Sequence, residues 1–212
     1  MPGTPTALIL DFGGVLTSDL WESIRACARR EGLADNALLD LIRHDDEVHQ
    51  LYIGMERGEV SQNDFEKGLA NAARISPDGL LARMCASLRP DDLMLNAVAD
   101  LRSRGVRIGV LSNSWGTGYF NPYKGYDLDK RADALIFSDQ VGLRKPEPEI
   151  FLLILDLLGI SGHESVFVDD IAANLIPAQE LGMSVMHHVD SRETIAELQR
   201  QFMPPAVLQN LI

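Results

Sequence analysis

The pattern of apolar and polar residues divides the chain into two kinds of structure. An apolar run at positions 6–10 ends at Asp11, and a pair of glycines follows at positions 13 and 14. A short apolar run bounded by turn residues predicts a strand buried on both faces. From about 17 to 89, apolar residues recur at three- and four-residue intervals, which predicts helices. From Asp91 onward, short apolar runs alternate with helical patterns, which predicts a mostly parallel sheet with right-handed crossovers.

The periodicity also predicts where the individual elements lie. In the helical region it predicts five helices, the fourth of which begins with a capping-box pattern at Ser61 and Asp64. In the second half it predicts strands at 106–111, 134–137, 165–168 and 183–186. It also predicts helices at 91–104 and 147–158, a helix that ends at 181 and a final helix that begins at 191. The predicted fold is therefore α/β. We expect a Rossmann-like three-layer core with a parallel sheet, formed by residues 1–16 and 90–212, and an inserted helical cap domain, formed by residues 17–89.

Composition narrows the classes of partner. The chain has 212 residues, of which 46% are hydrophobic, and a formal net charge of −12, which is typical of a globular protein that is soluble. An acidic protein of this kind is not expected to bind nucleic acid or an anionic membrane as its main partner. A small phosphorylated substrate stays compatible with this charge, because one metal ion and one lysine can reverse the field locally. We expect a monomer or a homodimer.

Cysteine usage and the amino terminus favour a cytoplasmic location. The two cysteines, Cys27 and Cys85, fall in helical patterns and are too few for a disulfide framework. The first five residues lack a basic region, and the apolar run that follows stops at Asp11, which is too short for a signal peptide. No apolar run approaches the length of a membrane-spanning helix. The sequence therefore predicts reduced thiols in the cytoplasm.

Four polar clusters lie at the ends of predicted strands or in adjoining loops. They are Asp11, the Ser112–Asn113 pair, Lys145 and the Asp169–Asp170 pair. Because parallel strands end at one edge of a sheet, these groups can converge although they are far apart in sequence. A carboxylate can attack phosphorus, hydroxyl and amide groups can hold phosphoryl oxygens, and lysine can neutralise their charge. Each cluster alone is typical of a turn or a helix cap, but together they indicate phosphoryl transfer.

These motifs resemble those of the haloacid dehalogenase-like hydrolases. The segment from Asp11 to Leu16 is similar to the first motif of that family, Ser112 to the second, Lys145 to the third and Asp169–Asp170 to the fourth. The resemblance extends from about 7 to 189 and is strongest to the phosphatase domain at the amino terminus of soluble epoxide hydrolase and to related bacterial phosphatases. Supporting stretches lie at 55–59, 142–148 and 168–175. The resemblance implies a Mg²⁺-dependent phosphatase that acts on small phosphorylated metabolites through an aspartyl-phosphate intermediate.

The resemblance also implies a role for each residue at the metal. Asp11 would be the nucleophile and would bind Mg²⁺ together with the backbone carbonyl of Gly13 and the carboxylate of Asp170. Asp169 would bind the metal through water or support it from behind. Asn174 would support the loop that carries the acidic pair.

For the substrate, the resemblance implies that Ser112 and Asn113 bind the phosphoryl group. Lys145 would stabilise the phosphoaspartate by neutralising its charge. Trp115, Tyr119, Phe120 and Tyr123 follow the second motif and are candidates for the entrance to the site.

Gly13 departs from the family pattern. Most phosphatases of the family carry a second aspartate at this position, which protonates the leaving group and then activates water. Such a group typically contributes about 10²–10⁴-fold in rate, or roughly 3–5 kcal/mol of barrier. The departure implies either a phosphatase that prefers good leaving groups, such as acyl or anomeric sugar phosphates, or a substitute acid. The candidate substitutes are Asp19, His44, Asp45 and His49.

Two other functions stay open from the sequence. A weakly active or non-catalytic protein that binds phosphorylated ligands would need no acid at position 13. A 2-haloacid dehalogenase would use the same nucleophile without a metal. That branch usually carries an aromatic residue at the position of Gly13, however, and the Asp169–Asp170 pair favours a metal. A response-regulator receiver is disfavoured, because its acidic pair precedes the phosphorylated aspartate.

Overall fold

The structure, a computed structural model, describes residues 4–202 of the chain. Its five strands are β1 (Ala7–Leu10), β2 (Arg107–Ser112), β3 (Ala134–Phe137), β4 (Ser165–Asp169) and β5 (Ser184–His187). They form one parallel sheet in the order β3-β2-β1-β4-β5. β1 therefore lies in the centre of the sheet, between β2 and β4.

The helices fall into two groups along the chain. Between β1 and β2 lie α1 (Leu20–Arg30), α2 (Ala37–His44), α3 (Asp46–Glu56), α4 (Gln62–Ala73), α5 (Leu80–Met84) and α6 (Asp92–Ser103). After β2 come α7 (Leu128–Arg131), α8 (Ser138–Val141), α9 (Pro148–Leu158), α10 (Ala172–Glu180) and α11 (Ser191–Phe202). Within the part of the chain that is described, no helix has the length and apolar character that crossing a membrane requires.

Helices cover both faces of the sheet, and alternate residues of β1 explain why. Leu8 and Leu10 point into a core that includes residues of α6 and α11. Ala7 and Ile9 point into a second core, on the opposite face, that includes residues of α9 and α10. All four residues are completely buried, as expected of a central strand in a parallel sheet. The result is a three-layer arrangement whose middle layer ends at the predicted site.

Helices α1–α5 pack around a core of their own, which includes Ile24, Phe65 and Leu69. Trp115, in the loop after β2, also packs into this core. The chain enters and leaves the helical unit side by side, because Thr17 and Pro90 form an antiparallel bridge. The Thr17–Pro90 bridge supports the inner boundaries of the predicted cap. The full division into 1–16 with 90–212 and 17–89 stays a prediction, and its outermost residues, 1–3 and 203–212, lie outside the described residues.

The predicted α/β fold with a parallel sheet is confirmed, with small differences at element ends. α3 continues past Gly54 to Glu56, which carries a side chain into the site described below. Two short elements were not predicted, α8 and a 3₁₀ helix at Gly162–Glu164. Only half of the capping box at Ser61 is formed. Ser61 Oγ accepts the Asp64 N–H at 3.1 Å, as the box requires. The Asp64 carboxylate, however, accepts the Ser61 hydroxyl, whereas a complete box would have it accept the Ser61 backbone N–H.

Candidate active site

The predicted polar clusters meet at the carboxyl edge of the sheet. Asp11 directly follows β1, and its backbone N–H donates to the Val168 carbonyl on β4 at 2.9 Å. Asp169 is the last residue of β4, and Ser112 is the last residue of β2. The strand order reverses at β1, because β2 and β3 lie on one side of it and β4 and β5 on the other. Open α/β sheets bind ligands in the crevice at such a point.

Lys145 supplies positive charge to this edge. Its side chain is 1% exposed, and its Nζ lies 2.9 Å from Asp11 Oδ1 and 2.7 Å from Asp169 Oδ2. Burial lowers the pKa of Lys145, but the two carboxylates outweigh burial, so the pKa is raised overall. Lys145 is therefore an ammonium ion that joins the carboxylate after β1 to the acidic pair at the end of β4.

The Asn113 side chain fixes the loop that carries Lys145. Its Oδ1 accepts the backbone N–H of Lys145 at 2.8 Å, and its Nδ2 donates to the Lys145 carbonyl at 3.0 Å. The sequence did not predict this positioning contact. Because a side-chain amide has two hydrogens, Asn113 keeps one for the cavity that it lines. Its role in binding a phosphoryl group stays a prediction.

Asp169 is held by neutral donors as well as by the lysine. Asn174 Nδ2 donates to its two carboxylate oxygens at 3.0 and 3.1 Å, and the Ile171 N–H donates to Oδ1 at 2.8 Å. Asp169 is completely buried. Asn174 therefore supports the loop after β4, as the sequence predicted.

Asp11, Asp169 and Asp170 form an acidic group that fits a divalent cation. One carboxylate oxygen of each lies within 4.8 Å of the others. Burial raises the pKa of Asp11 to about 8, against the effect of Lys145 and with a further contribution from the other two aspartates. Burial and the charge of Asp169 raise the pKa of Asp170 to about 6. Crowded carboxylate oxygens are the ligand chemistry that Mg²⁺ prefers, and a cation would relieve their repulsion.

The two glycines after Asp11 differ in what they allow. Gly14 has a φ of +79°, and a Cβ built on it would lie 2.8 Å from Asp170 Oδ2, so steric reasons require glycine there. A Cβ on Gly13 would meet Leu20 at an ordinary distance of 3.5 Å, and its backbone does not adopt a positive φ. Position 13 therefore has room for a side chain, and the absence of an acid there does not follow from crowding.

A cavity of about 290 Å³ opens above these residues. Its inner end is lined by the predicted residues Asp11, Gly13, Ser112, Asn113, Lys145 and Asp170. Asp169 lies behind this lining. Residues of the cap also line the cavity, namely Leu20 and Trp21 of α1 and Tyr52 and Glu56 of α3. The site thus lies between the sheet edge and the helical cap.

Two of the four aromatic residues predicted at the entrance line the cavity. These are Trp115 and Tyr123, and the Tyr123 hydroxyl lies 3.0 Å from Ser112 Oγ. The other two do not line it. Tyr119 is 60% exposed, and Phe120 packs against the core of the cap.

The cap contributes a carboxylate to the cavity, Glu56, which the sequence did not single out. Glu56 is 2% exposed, and its Oε2 lies 2.7 Å from a guanidinium nitrogen of Arg144. Burial raises the pKa of Glu56, and Arg144 opposes this effect. The sequence contained one indication of Glu56, because this residue lies in the 55–59 stretch that supported the family resemblance. One sequence cannot show, however, that Glu56 pairs with a residue 88 positions away.

The four substitute acids suggested by the sequence lie outside the lining of this cavity. Asp45 caps α3 by accepting the Val48 N–H at 3.0 Å, and His49 Nδ1 lies 2.9 Å from the Ile42 carbonyl. Asp19 caps α1 and, with Asp170, faces a neighbouring groove. His44 lies in a separate depression of the cap. Their polar side chains serve helix ends and surfaces, and none of the four lines the cavity above Asp11.

Comparison with known proteins identifies relatives along most of the chain. Residues 5–182 match the family described as haloacid dehalogenase-like hydrolase. The sesquiterpene phosphatase astK of Aspergillus oryzae is 28% identical over 92% of this chain and 95% of its own length. Bifunctional epoxide hydrolase 2 of Rattus norvegicus is 34% identical over 50% of this chain, which is only 20% of that relative's own length.

A solved structure agrees with this match in fold. A family enzyme of Bacteroides thetaiotaomicron, crystallised as a magnesium complex, is 24% identical and superposes with a TM-score of 0.70. The superposition covers 93% of this chain and 100% of that one. With the family match spanning residues 5–182, the chain belongs to the haloacid dehalogenase-like hydrolases.

Proposed function

We propose that this hydrolase is a Mg²⁺-dependent phosphatase that acts on small phosphorylated metabolites through an aspartyl-phosphate intermediate. The observation that carries the proposal is the contact between Asp11 and Lys145 Nζ, at 2.9 Å, beside the acidic pair at the end of β4. A fixed carboxylate next to a buried ammonium ion suits an incoming phosphoryl group. The Aspergillus relative is a sesquiterpene phosphatase, which supports the same type of reaction.

In the proposed reaction, a carboxylate oxygen of Asp11 attacks phosphorus, and the bond from phosphorus to the alcohol oxygen breaks. The alcohol leaves with the electron pair of that bond and takes a proton from water. A second water then attacks the phosphorus of the aspartyl phosphate and gives a proton to the hydroxide left by the first water, which regenerates Asp11 and releases inorganic phosphate. Lys145 neutralises charge on the phosphoryl oxygens, which the Ser112 hydroxyl and the second amide hydrogen of Asn113 would hold.

The proposed Mg²⁺ ligands are the carboxylates of Asp11 and Asp170 and the backbone carbonyl of Gly13. When bound, Mg²⁺ supplies positive charge that polarises the phosphoryl oxygens. Asp169 would act through water or from behind these ligands, which fits its hydrogen bonds to three other donors. The magnesium complex of the Bacteroides structure supports the choice of metal.

The missing side chain at position 13 sets the expected range of leaving groups. Glu56 lines the cavity, but its ion pair with Arg144 keeps it from being a free acid. Without a positioned acid, the alcohol must leave as an anion or be protonated by water. We therefore expect faster turnover of esters whose leaving group is acidic, such as acyl, aryl or anomeric sugar phosphates.

The experiment that tests the proposal is phosphate release from p-nitrophenyl phosphate with and without Mg²⁺. We expect release that requires the metal and is abolished by Asp11→Asn. Asp156→Asn, which changes an exposed aspartate of α9, is the matched control and should keep the wild-type rate. A rate in Asp11→Asn equal to that of the control would contradict the proposed nucleophile.

Two outcomes would point to the other functions considered. If the protein binds Mg²⁺ and phosphate but releases no phosphate from any ester, it is a binding protein for phosphorylated ligands, as the lack of an acid at Gly13 would allow. Chloride release from a 2-chloroacid without metal would instead identify a dehalogenase.

A further inference from the structure

Apart from the polar residues at the sheet edge, the wall of the cavity is mainly apolar. Its apolar side chains come from α1, from the segment after α5, and from loops of the core: Leu20, Trp21, Cys85, Leu88, Trp115, Pro122 and Ile171. Leu20, Trp21, Cys85 and Leu88 are only half-buried in the described chain. Their remaining apolar surface is therefore available to whatever enters the cavity.

Most of the polar groups on the same wall already contact one another. The Trp115 indole N–H donates to the Tyr52 hydroxyl at 3.4 Å, and the Tyr123 hydroxyl pairs with Ser112 Oγ at 3.0 Å. Glu56 is paired with Arg144. A substrate rich in hydroxyl groups would find few free partners here, and each buried hydroxyl without a partner costs roughly 5- to 150-fold in affinity.

We propose that the alcohol part of the substrate is a small apolar group, either a short hydrocarbon chain or a ring. The phosphoryl group would lie at the end of the cavity lined by Asp11 and Lys145. The apolar part would contact Trp21 and Leu88 beneath the cap. This inference rests on the proposed phosphatase function and names the substrate class of that same site.

The test uses aryl phosphates that differ in apolar surface but have nearly the same leaving-group acidity. The series is phenyl, 4-methylphenyl, 4-ethylphenyl and 4-propylphenyl phosphate. A fifth ester, 4-(2-hydroxyethyl)phenyl phosphate, has as many heavy atoms as the propyl compound but carries a hydroxyl group. We expect kcat/KM to rise along the alkyl series, by up to about fourfold for each methylene buried. The hydroxyethyl ester should react at least tenfold less efficiently than the propyl ester.

A variant of the wall separates the proposed contact from a general effect on the enzyme. Leu88→Asn should reduce the gain per methylene along the series. Leu93→Asn, which changes a leucine of α6 that is 52% exposed, should leave that gain as in the wild type. If Leu88→Asn fails to fold, as judged by its thermal unfolding, Trp21→Gln replaces it in the same comparison.

The outcomes distinguish this inference from the proposed function. A flat alkyl series, or a hydroxyethyl ester that equals or exceeds the propyl ester, would overturn the inference while leaving the phosphatase in place. If no ester releases phosphate, the proposed function fails, and calorimetry of Asp11→Asn decides the inference. Tighter binding of 4-propylphenyl phosphate than of the hydroxyethyl ester would support it, and equal or weaker binding would overturn it.

Discussion

At the scale of single residues, the site depends on one buried cation. Lys145 Nζ contacts Asp11 and Asp169 at 2.9 and 2.7 Å while its side chain is 1% exposed. A buried lysine held by two carboxylates is stable only because of those partners, and the carboxylates in turn depend on it. Stability and chemistry are therefore linked at this residue.

We expect Lys145→Met to lower both the rate and the stability. Loss of a charge that stabilises the transferring group typically costs about 10²–10³-fold in kcat. Leaving buried carboxylates without their partner typically costs about 3–5 kcal/mol in the free energy of unfolding. Phosphate release and urea denaturation measure the two effects. Lys130→Met, at a lysine whose side chain is 73% exposed, should change neither, and equal effects of both substitutions would contradict this account.

Position 13 offers the converse experiment, in which a group is added. A Cβ there meets Leu20 at an ordinary 3.5 Å, so Gly13→Asp should fold. We expect it to raise the rate on alkyl phosphates, which have poor leaving groups, by about 10²-fold or more. Gly14→Ala is the comparison, and it should lose activity because its Cβ would lie 2.8 Å from Asp170 Oδ2. A Gly13→Asp enzyme no faster on alkyl phosphates would show that the missing acid is not what limits turnover.

The polar residues of the site could be predicted from the sequence better than the contacts that position them. Asp11, Ser112, Lys145 and the acidic pair could be predicted to converge, because parallel strands share one carboxyl edge. The hydrogen bonds that hold these residues in place could not be predicted. Asn113 bonds to the backbone of a residue 32 positions away, and no local pattern encodes such a pairing. The room at Gly13 likewise depends on where Leu20 lies after folding.

At the scale of elements, the end of α3 is tied to the loop that carries Lys145. Glu56 pairs with Arg144 at 2.7 Å, and Arg57 pairs with Glu147. Arg57 also donates to the Gly142 carbonyl at 2.9 Å. Neighbouring residues of the cap thus carry opposite charges, and each meets its complement on the 142–147 loop of the core. Ion pairs and a hydrogen bond therefore join the cap to the loop that carries Lys145.

We expect Glu56→Gln to weaken this connection. Arg144 would lose its carboxylate partner in a half-buried position, so the cap should close less firmly over the cavity. The predicted result is a rise in KM of about tenfold with a smaller change in kcat, together with faster hydrogen exchange in 142–147. Glu22→Gln removes partners of Arg25 and Arg29 on the exposed face of α1 and should change little, as surface pairs do. Unchanged KM and exchange in Glu56→Gln would rule out the connection.

Element types could be predicted more reliably than their ends. The helical period before residue 89 and the alternation after it indicated the right classes of structure. The pattern could not show that α3 runs on to Glu56, because Gly54 is a common helix terminator. Yet this extra half-turn is what brings a charged side chain into the cavity.

At the scale of the whole molecule, an acidic chain concentrates three carboxylates at the centre of its sheet edge. The formal net charge is −12, and oxygens of Asp11, Asp169 and Asp170 lie within 4.8 Å of one another. Desolvation and mutual repulsion at this point oppose folding. A bound divalent cation should therefore stabilise the entire fold and not only the loops that contain its ligands.

We expect Mg²⁺ to raise the thermal unfolding temperature. At a concentration 100 times the Kd, binding adds about 2.7 kcal/mol to the free energy of unfolding, and each kcal/mol is typically worth about 2–4 °C in a chain of this size. Calorimetry with Mg²⁺ and with EDTA measures the shift. Asp170→Asn should abolish it, whereas Asp156→Asn should keep it. A shift that survives in Asp170→Asn would exclude Asp170 as a ligand.

A covalent intermediate on Asp11 would be direct evidence for the aspartyl-phosphate mechanism, and it can be sought during turnover. The enzyme is mixed with Mg²⁺ and p-nitrophenyl phosphate, quenched in acid during turnover, and digested for peptide mass spectrometry. We expect a phosphoryl group on the carboxylate of Asp11 in the wild-type enzyme and none in Asp11→Asn, which should also release no phosphate. Steady phosphate release with no modified Asp11 peptide, continuing undiminished in Asp11→Asn, would contradict this mechanism.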